Sequence, residues 1–470
     1  MRIIHTSDWH LGQYFYGKSR ASEHQQFLNW LLAQVEIHNV NAIIVAGDIF
    51  DTATPPSYAR QMYFNFISEL QAFDCQLVIL AGNHDSVSML AESQELLGAL
   101  STKVVANVTD ISIASNLAEQ VFTIKNKQGK AQAVICAIPF IRPRDVIKSQ
   151  AGQSATDKSK QLQQAIVEHY QGLFEKAQLL VSKQEMLESE GKLPIIATGH
   201  LTALGVTSSD SVRDIYIGTL EAFPSNAFPA ADYIALGHIH RAQKVGKTEH
   251  IRYSGSPIAL SFDEAKQNKR VLMVDFEQDK LSTITDLIVP CFQPLAMIKT
   301  TLEALIEDIE ELVPELLNTE LVKDNNEKKL WLDIELSNTG LLSDLQPKIT
   351  ALVKDFPVEV LLVRREKQVR KRLILQNQQD QSTLNELSLD EVFVSRLNQE
   401  AWLIDDDSDN PSSEQTLQRK AQLQTLFKQT VEQVLEEDKV NEISVQQSSL
   451  HTDLSQQGLF EESISEEGKS

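Results

Sequence analysis

The sequence predicts an α/β fold: a mainly parallel sheet covered on both faces by helices, followed by a second sheet and a smaller downstream unit. Three observations carry this. Ile43-Ile-Val-Ala46 is a continuous apolar run that leads straight into Gly47 and Asp48, the pattern of a strand buried on both faces. The order strand, polar tip, helix recurs three times in the first 100 residues. Finally, 42% of the 470 residues are hydrophobic, enough to fill a sizeable core.

Residues 2–6 make a short strand that ends in Thr6-Ser-Asp8-Trp-His10. Residues 22–38 read as a helix, with Phe27, Leu28, Leu31, Leu32 and Val35 on one face and Ser22 as its cap. Strand 41–46 delivers Asp48. Pro55-Pro56 opens a helix running to about Phe73. Strand 76–81 ends in Gly82-Asn83-His84-Asp85. Three β-like runs, 103–106, 121–125 and 133–138, lie close together and suggest the second sheet. Residues 145–190 are polar and helical. Strand 194–198 ends in Gly199-His200, and strand 233–236 in Gly237-His238-Ile-His240. A strand near 271–276 closes a first domain, 1–290.

Residues 295–365 repeat helix and strand twice, as suits a small α+β domain. The first helix carries Leu302, Leu305, Ile306, Ile309 and Leu312. A basic run follows, Arg364 to Arg372, which reads either as a solvated face or as a DNA contact. Helices are expected at 388–403 and 414–437, within a helical region 366–438. From 439 to 470 the chain is rich in Ser, Gln and Glu, and disorder is expected.

The net charge is −22, and the stretch after residue 370 is markedly acidic. Binding to a bare polyanion should therefore be weak without help. Cys75, Cys136 and Cys291 are sparse and form no CxxC, so no disulfide framework or zinc knuckle is expected; all three read as buried thiols. No signal peptide and no apolar run of about 18 residues is present, and a cytoplasmic protein is expected.

The strand ends carry the chemistry. Asp8, His10, Asp48, Asn83, His84, Asp85, His200, His238 and His240 all fall just past strand carboxyl ends, the edge where open α/β sheets bind ligands. Period-two alternation would put Asp8 with His10, and His238 with His240, on one side of an extended segment. Mixed imidazole and carboxylate donors suit Mn, Fe, Zn or Ni rather than Ca. Asp48 has two carboxylate oxygens and can bridge two ions. A metal pair about 3.5–4 Å apart can grip a phosphate and activate water. Each motif alone is weak, since a single Asp-x-His or Gly-Asn-His-Asp is commonly incidental; the weight lies in their joint occurrence. The remaining histidines, together with Trp9 and Trp30, read as ordinary core, loop or surface residues.

Asp8-x-His10, Gly47-Asp48-x-x-Asp51, Gly82-Asn83-His84-Asp85, Gly199-His200 and Gly237-His238-x-His240 resemble the five motifs of the calcineurin-like metallophosphoesterases. The longer words Thr6-Ser-Asp-Trp-His-Leu-Gly12, Ala81-Gly-Asn-His-Asp-Ser86 and Tyr253-Ser-Gly-Ser-Pro257 are similar to the SbcD family of bacterial nuclease subunits. The resemblance is specific over 1–260, looser over 295–400 and absent beyond about 440.

That resemblance implies a four-layer αββα sandwich, a small α+β capping domain and C-terminal helices. It implies two Mn(2+) ions, with Fe or Mg as substitutes. One would sit on Asp8, His10, Asp48 and His240; the other on Asp48, Asn83, His200 and His238. His84 would act on the leaving oxygen as general acid, with Asp85 orienting it. It also implies 3′-to-5′ exonuclease activity on duplex ends and endonuclease activity on single strands and hairpins, in DNA repair, recombination and replication. The partner would be an SbcC-type ATPase, with a homodimer inside a heterotetramer. Leu389, Val392, Phe393 and Leu397 would dock on that ATPase or, equally, pack on the chain's own cap. Two other readings stand beside this one: a phosphatase or phosphodiesterase for small phosphoesters, and a non-catalytic ATPase scaffold.

Overall fold

The computed structural model describes residues 1–109, 117–147, 155–188, 192–212, 222–277, 279–317, 329–337, 345–366, 393–394, 396–397 and 422–427. They fall in two compact units, Met1–Val369 and Arg370–Ser470.

Two six-stranded sheets face each other in the first unit. In one, Arg2–Thr6, Ala42–Ala46, Gln76–Leu80 and Thr102–Val105 run parallel in that order. Arg270–Glu277 and then Lys280–Ile288 extend it antiparallel beyond Arg2–Thr6. The other sheet holds Val121–Lys125, Ala131–Cys136, Ile195–His200, Tyr233–Gly237, Ile251–Tyr253 and Gln243–Lys244, and its middle four strands are parallel. Because side chains alternate along a strand, Ile44 and Ala46 point into the space between the sheets. They meet Ile135, Ile196 and Ala235 there. Ile43 and Val45 point the other way, under Phe27, Leu31 and Phe66 of the helices Ala21–His38 and Ser57–Leu70. Helix Ala155–Glu188 covers the far sheet through Leu162, Ile166 and Leu173. The layers are therefore helix, sheet, sheet, helix.

Several local expectations are corrected. The run at 102–105 pairs with Gln76–Leu80, so it belongs to the first sheet rather than the second. Ser22 lies inside its helix; Arg20 occupies the cap and makes no side-chain cap bond. Cys75 and Cys136 are buried, but Cys291 is exposed.

Residues 295–365 form a three-stranded parallel sheet, Leu295–Thr300, Leu330–Leu336 and Val358–Arg365. The first of these strands was not anticipated. Helices Leu305–Leu317 and Leu345–Leu352 pack on it through Leu305, Ile309 and Ile349. The sheet meets the sandwich where Trp331 and Leu295 join Phe15 and Phe262. Trp331 stacks on Phe15 at 5.9 Å. Within the basic run, Arg364 is bound to the buried Asp333 and so has a structural role. In the second unit, 393–394, 396–397 and 422–427 are helical, and Phe393 stacks on Phe427 at 3.9 Å. The rest of the expected helices 388–403 and 414–437, and the tail, lie outside the described residues. Among the described residues no helix is long and apolar enough to cross a membrane.

Candidate metal centre

The carboxyl ends of strands from both sheets open on one cluster. Asp8, His10 and His240 bring ligand atoms within 4.8 Å of one another, as do His10, Asp48 and His84, and Asp48, His200 and His238. Asp48 belongs to two of the three groups. Its Oδ2 lies 3.7 Å from His10 Nε2 and 3.2 Å from His200 Nε2. Asn83 Oδ1 completes the second side, 2.9 Å from His200 Nε2 and 3.1 Å from His238 Nδ1. All nine residues singled out from the sequence come together in this region. The carboxylates and imidazoles among them are buried.

The means of convergence differs from the expectation. Asp8 and His10 are not on an extended segment: φ is 54° and 47°, the left-handed region. Asp48 at 51° and His238 at 91° share that sign. The strands stop at Thr6, Ala46 and Gly237, and the chain turns sharply to aim each tip inward. Bonds between loops hold the turns. Asp8 N donates to Gly47 O at 3.0 Å, His10 N to Asp48 O at 3.1 Å, and His238 N to Asp8 Oδ1 at 2.9 Å. Gly47 and Gly82 are required here. A Cβ on Gly47 would meet the His200 ring, and one on Gly82 would meet the Asp48 carboxylate.

The imidazoles are oriented from behind. His10 Nδ1 faces Asp51 Oδ1 at 3.2 Å, and His200 Nδ1 donates to Ala46 O at 2.9 Å. His240 Nδ1 faces Ser211 Oγ at 2.6 Å. Each such partner directs the opposite Nε2 toward the cluster, the usual design behind metal-bound histidines. His84 is held differently from expectation. Its Nδ1 donates to Asp51 O at 2.6 Å, whereas Asp85 accepts from Ile49 N, Phe50 N and Gly82 N. Asp85 is thus a brace for the two loops, and the carbonyl of Asp51 does the orienting. Asp51, Ser211 and Glu264, whose Oε1 accepts from Ser211 Oγ at 2.6 Å, are members of the site that the sequence did not assign to it. Asp51 closes the motif Gly47-Asp48-x-x-Asp51; nothing in the sequence marks the other two.

The electrostatics fit a cation. His10 Nε2 and His238 Nε2 are buried with no hydrogen-bond partner. Burial opposes the charge on Asp48, yet His200, His84 and His10 hold it well below the usual carboxylate range. Burial likewise opposes the charge on His200, but Asp48 outweighs it and lifts His200 to about 9. Burial and then Asp48 push Asp85 up to about 6, against its three N–H bonds. A cavity of fixed carboxylates that draws positive charge, with the unbonded Nε2 of His10 directed toward it from Asp51 and the Nδ1 of His238 facing Asn83 Oδ1, suits divalent ions with mixed N/O donors.

The model of the calcineurin-like phosphoesterase family matches residues 1–242. That of the type 5 capsule protein repressor C-terminal domain matches residues 291–401. A protein of Escherichia coli (strain K12), named for its place as the SbcD component of the nuclease SbcCD, is 50% identical over 398 residues, 84% of this chain and 92% of the relative. A protein of the same name from Rhodobacter capsulatus is 32% identical over 279 residues, 58% of this chain and 66% of the relative. Another, from Bacillus subtilis, is 29% identical over 348 residues, 73% of this chain and 81% of the relative.

Proposed function

The chain belongs to the calcineurin-like phosphoesterases and, within them, to the SbcD family, and from that premise we propose that it is the Mn-dependent DNA nuclease component of an SbcCD-type complex. The observation that carries the reading is Asp48, buried between His10 on one side and His200 on the other. One ion would be held by Asp8, His10, Asp48 and His240, the other by Asp48, Asn83, His200 and His238. When bound, the pair would supply an activated water and charge stabilisation for a phosphodiester. His84 donates its Nδ1 proton to Asp51 O, so Nε2 is the nitrogen that would meet the phosphate and protonate the leaving oxygen. Asp85 braces the loops that carry Asp48 and His84.

In this reading 1–290 is the nuclease domain, 295–365 a cap, and 366–438 the region that docks an SbcC-type ATPase. The ATPase would supply much of the DNA-holding surface that a chain of net −22 lacks. The working form would be a homodimer within a heterotetramer in the cytoplasm, cutting duplex ends 3′ to 5′ and opening hairpins.

The test is His84→Ala in the full chain co-purified with its ATPase partner. Cleavage of an end-labelled hairpin should fall by about 10²–10⁴, while calorimetry still records uptake of two Mn(2+) ions. Wild-type cleavage by the variant would overturn the role of His84. A complex that hydrolyses small phosphoesters but leaves DNA intact would favour the phosphatase reading instead.

A further inference from the structure

Behind His240 lies a buried polar assembly outside the nine strand-end residues. Glu264, on the short helix Phe262–Glu264, is fully buried. Its Oε1 accepts from Ser211 Oγ and Ser209 Oγ, each at 2.6 Å. Its Oε2 accepts from Leu260 N at 3.0 Å and from Lys269 Nζ at 2.5 Å. The Lys269 ammonium also donates to Ser256 Oγ at 2.9 Å and to the backbone carbonyl of His240 at 3.1 Å. Three separate segments thus meet on one carboxylate.

The donor count fixes a direction. A carboxylate can only accept, and each of these partners of Glu264 is a donor. The single Ser211 hydroxyl proton is therefore committed to Glu264. What Ser211 Oγ offers to His240 Nδ1 at 2.6 Å is a lone pair. His240 must then carry its proton on Nδ1, which leaves the Nε2 lone pair for the group formed with Asp8 and His10.

We propose that Glu264, acting through Ser211 and anchored by Lys269, is a positioning residue that selects the metal-binding tautomer of His240. The inference rests on the reading of His240 as a metal ligand. Lys269 serves twice, since it holds the carboxylate and also pins the His240 carbonyl. Ser211 is the element that transmits the effect, because Glu264 Oε1 itself is 3.5 Å from His240 Nδ1.

The experiment titrates Mn(2+) into the metal-free full chain, followed by calorimetry and by the EPR signal of unbound Mn(2+). Wild type, Ser211→Ala, Ser211→Thr and Glu264→Gln are compared. Ser211→Ala and Glu264→Gln are expected to weaken one of two sites by about 10–100-fold, the usual cost of losing a partner behind a metal ligand. Ser211→Thr keeps the hydroxyl and should restore near-wild-type affinity. Thermal melting without metal guards against misfolding, and Ser211→Ala, which removes only a hydroxyl, decides the matter should Glu264→Gln fail to fold. If wild type binds two ions and Ser211→Ala binds both as tightly, the tautomer role is overturned while the two-metal site stands. If wild type itself does not bind two ions, the site reading fails and takes this inference with it.

Discussion

Asp8, His10, Asp48 and His238 all sit at positive φ, a conformation that costs a non-glycine residue on the order of 1–3 kcal/mol. Four such residues at one place mean that the surrounding structure over-determines the turns. Gly82 is part of that surround. An added Cβ would collide with the carboxylate and backbone N of Asp48 rather than with a flexible side-chain end. Gly82→Ala is therefore expected to cost about 1–3 kcal/mol and to weaken Mn(2+) binding, because Asp48 must move. Gly98→Ala is the control, since its Cβ would meet nothing within 4 Å. Equal melting temperatures and equal Mn(2+) uptake in the two variants would show that Asp48 has room to spare. At this scale the sequence was informative about residue type and poor about conformation. Aspartate and histidine after an apolar run mark a strand-end site whatever their φ. Period-two alternation placed Asp8 and His10 together for the wrong reason, because the strand had already ended at Thr6.

The loop between strand Arg2–Thr6 and helix Ala21–His38 carries His10 and then the small hairpin of Tyr14–Phe15 with Lys18–Ser19. Arg20 closes this loop. Its Nε and Nη2 each lie 2.5 Å from a Glu23 oxygen, and Nη1 donates to Ala259 O at 2.7 Å. The guanidinium also rests over the rings of Phe15, at 5.0 Å, and Trp331, at 6.0 Å. One side chain thus ties the ligand loop, the first helix and the strand Leu330–Leu336 together. Arg20→Ala leaves Glu23 buried without its partner and is expected to destabilise by about 3–5 kcal/mol. Replacing both, Arg20→Met with Glu23→Leu, should recover most of that loss, as judged by urea midpoints at constant slope. A single variant within about 1 kcal/mol of wild type would show that the pair does not anchor the junction. The apolar run 43–46 was legible because burial on both faces leaves no other pattern, and 330–336 because Leu330, Leu332, Ile334 and Leu336 alternate onto one buried face. The strand Leu295–Thr300 was missed because only Leu295-Ala-Met-Ile298 is apolar, a run too short to tell a strand from a helical segment by pattern alone. The sheet to which Thr102–Val105 belongs was not legible either, since pairing is decided by contacts distant in sequence.

At the scale of the whole molecule the two sheets share a core that admits few polar groups, and His5 and His169 are among the histidines that lie inside or beside it in neutral form. His5 is fully buried, with its ring nitrogens 2.9 Å from Tyr233 Oη and 3.2 Å from Leu236 O. Burial pushes its pKa down to about 3, against the bond to Leu236. His169, on the long outer helix beside Gln120, is pushed down to about 4 by burial. Both titrate in the unfolded chain near 6.5, so below that pH the unfolded state binds more protons than the native state. The stabilisation is complete above 6.5 and is lost as pH falls toward the folded values. Each group should contribute a loss of about 2 kcal/mol by about pH 5, from roughly 1.4 kcal/mol per pH unit. Urea midpoints of the metal-free protein between about pH 7 and 5 would measure the slope, and His169→Gln should lower it by close to one proton. An unchanged slope in that variant would mean that His169 is already charged in the native core. Metal-free conditions matter to the magnitude. Ions bound at Asp48 and its imidazoles would be displaced by protons over the same range, adding a second acid-dependent loss that His169→Gln would leave untouched.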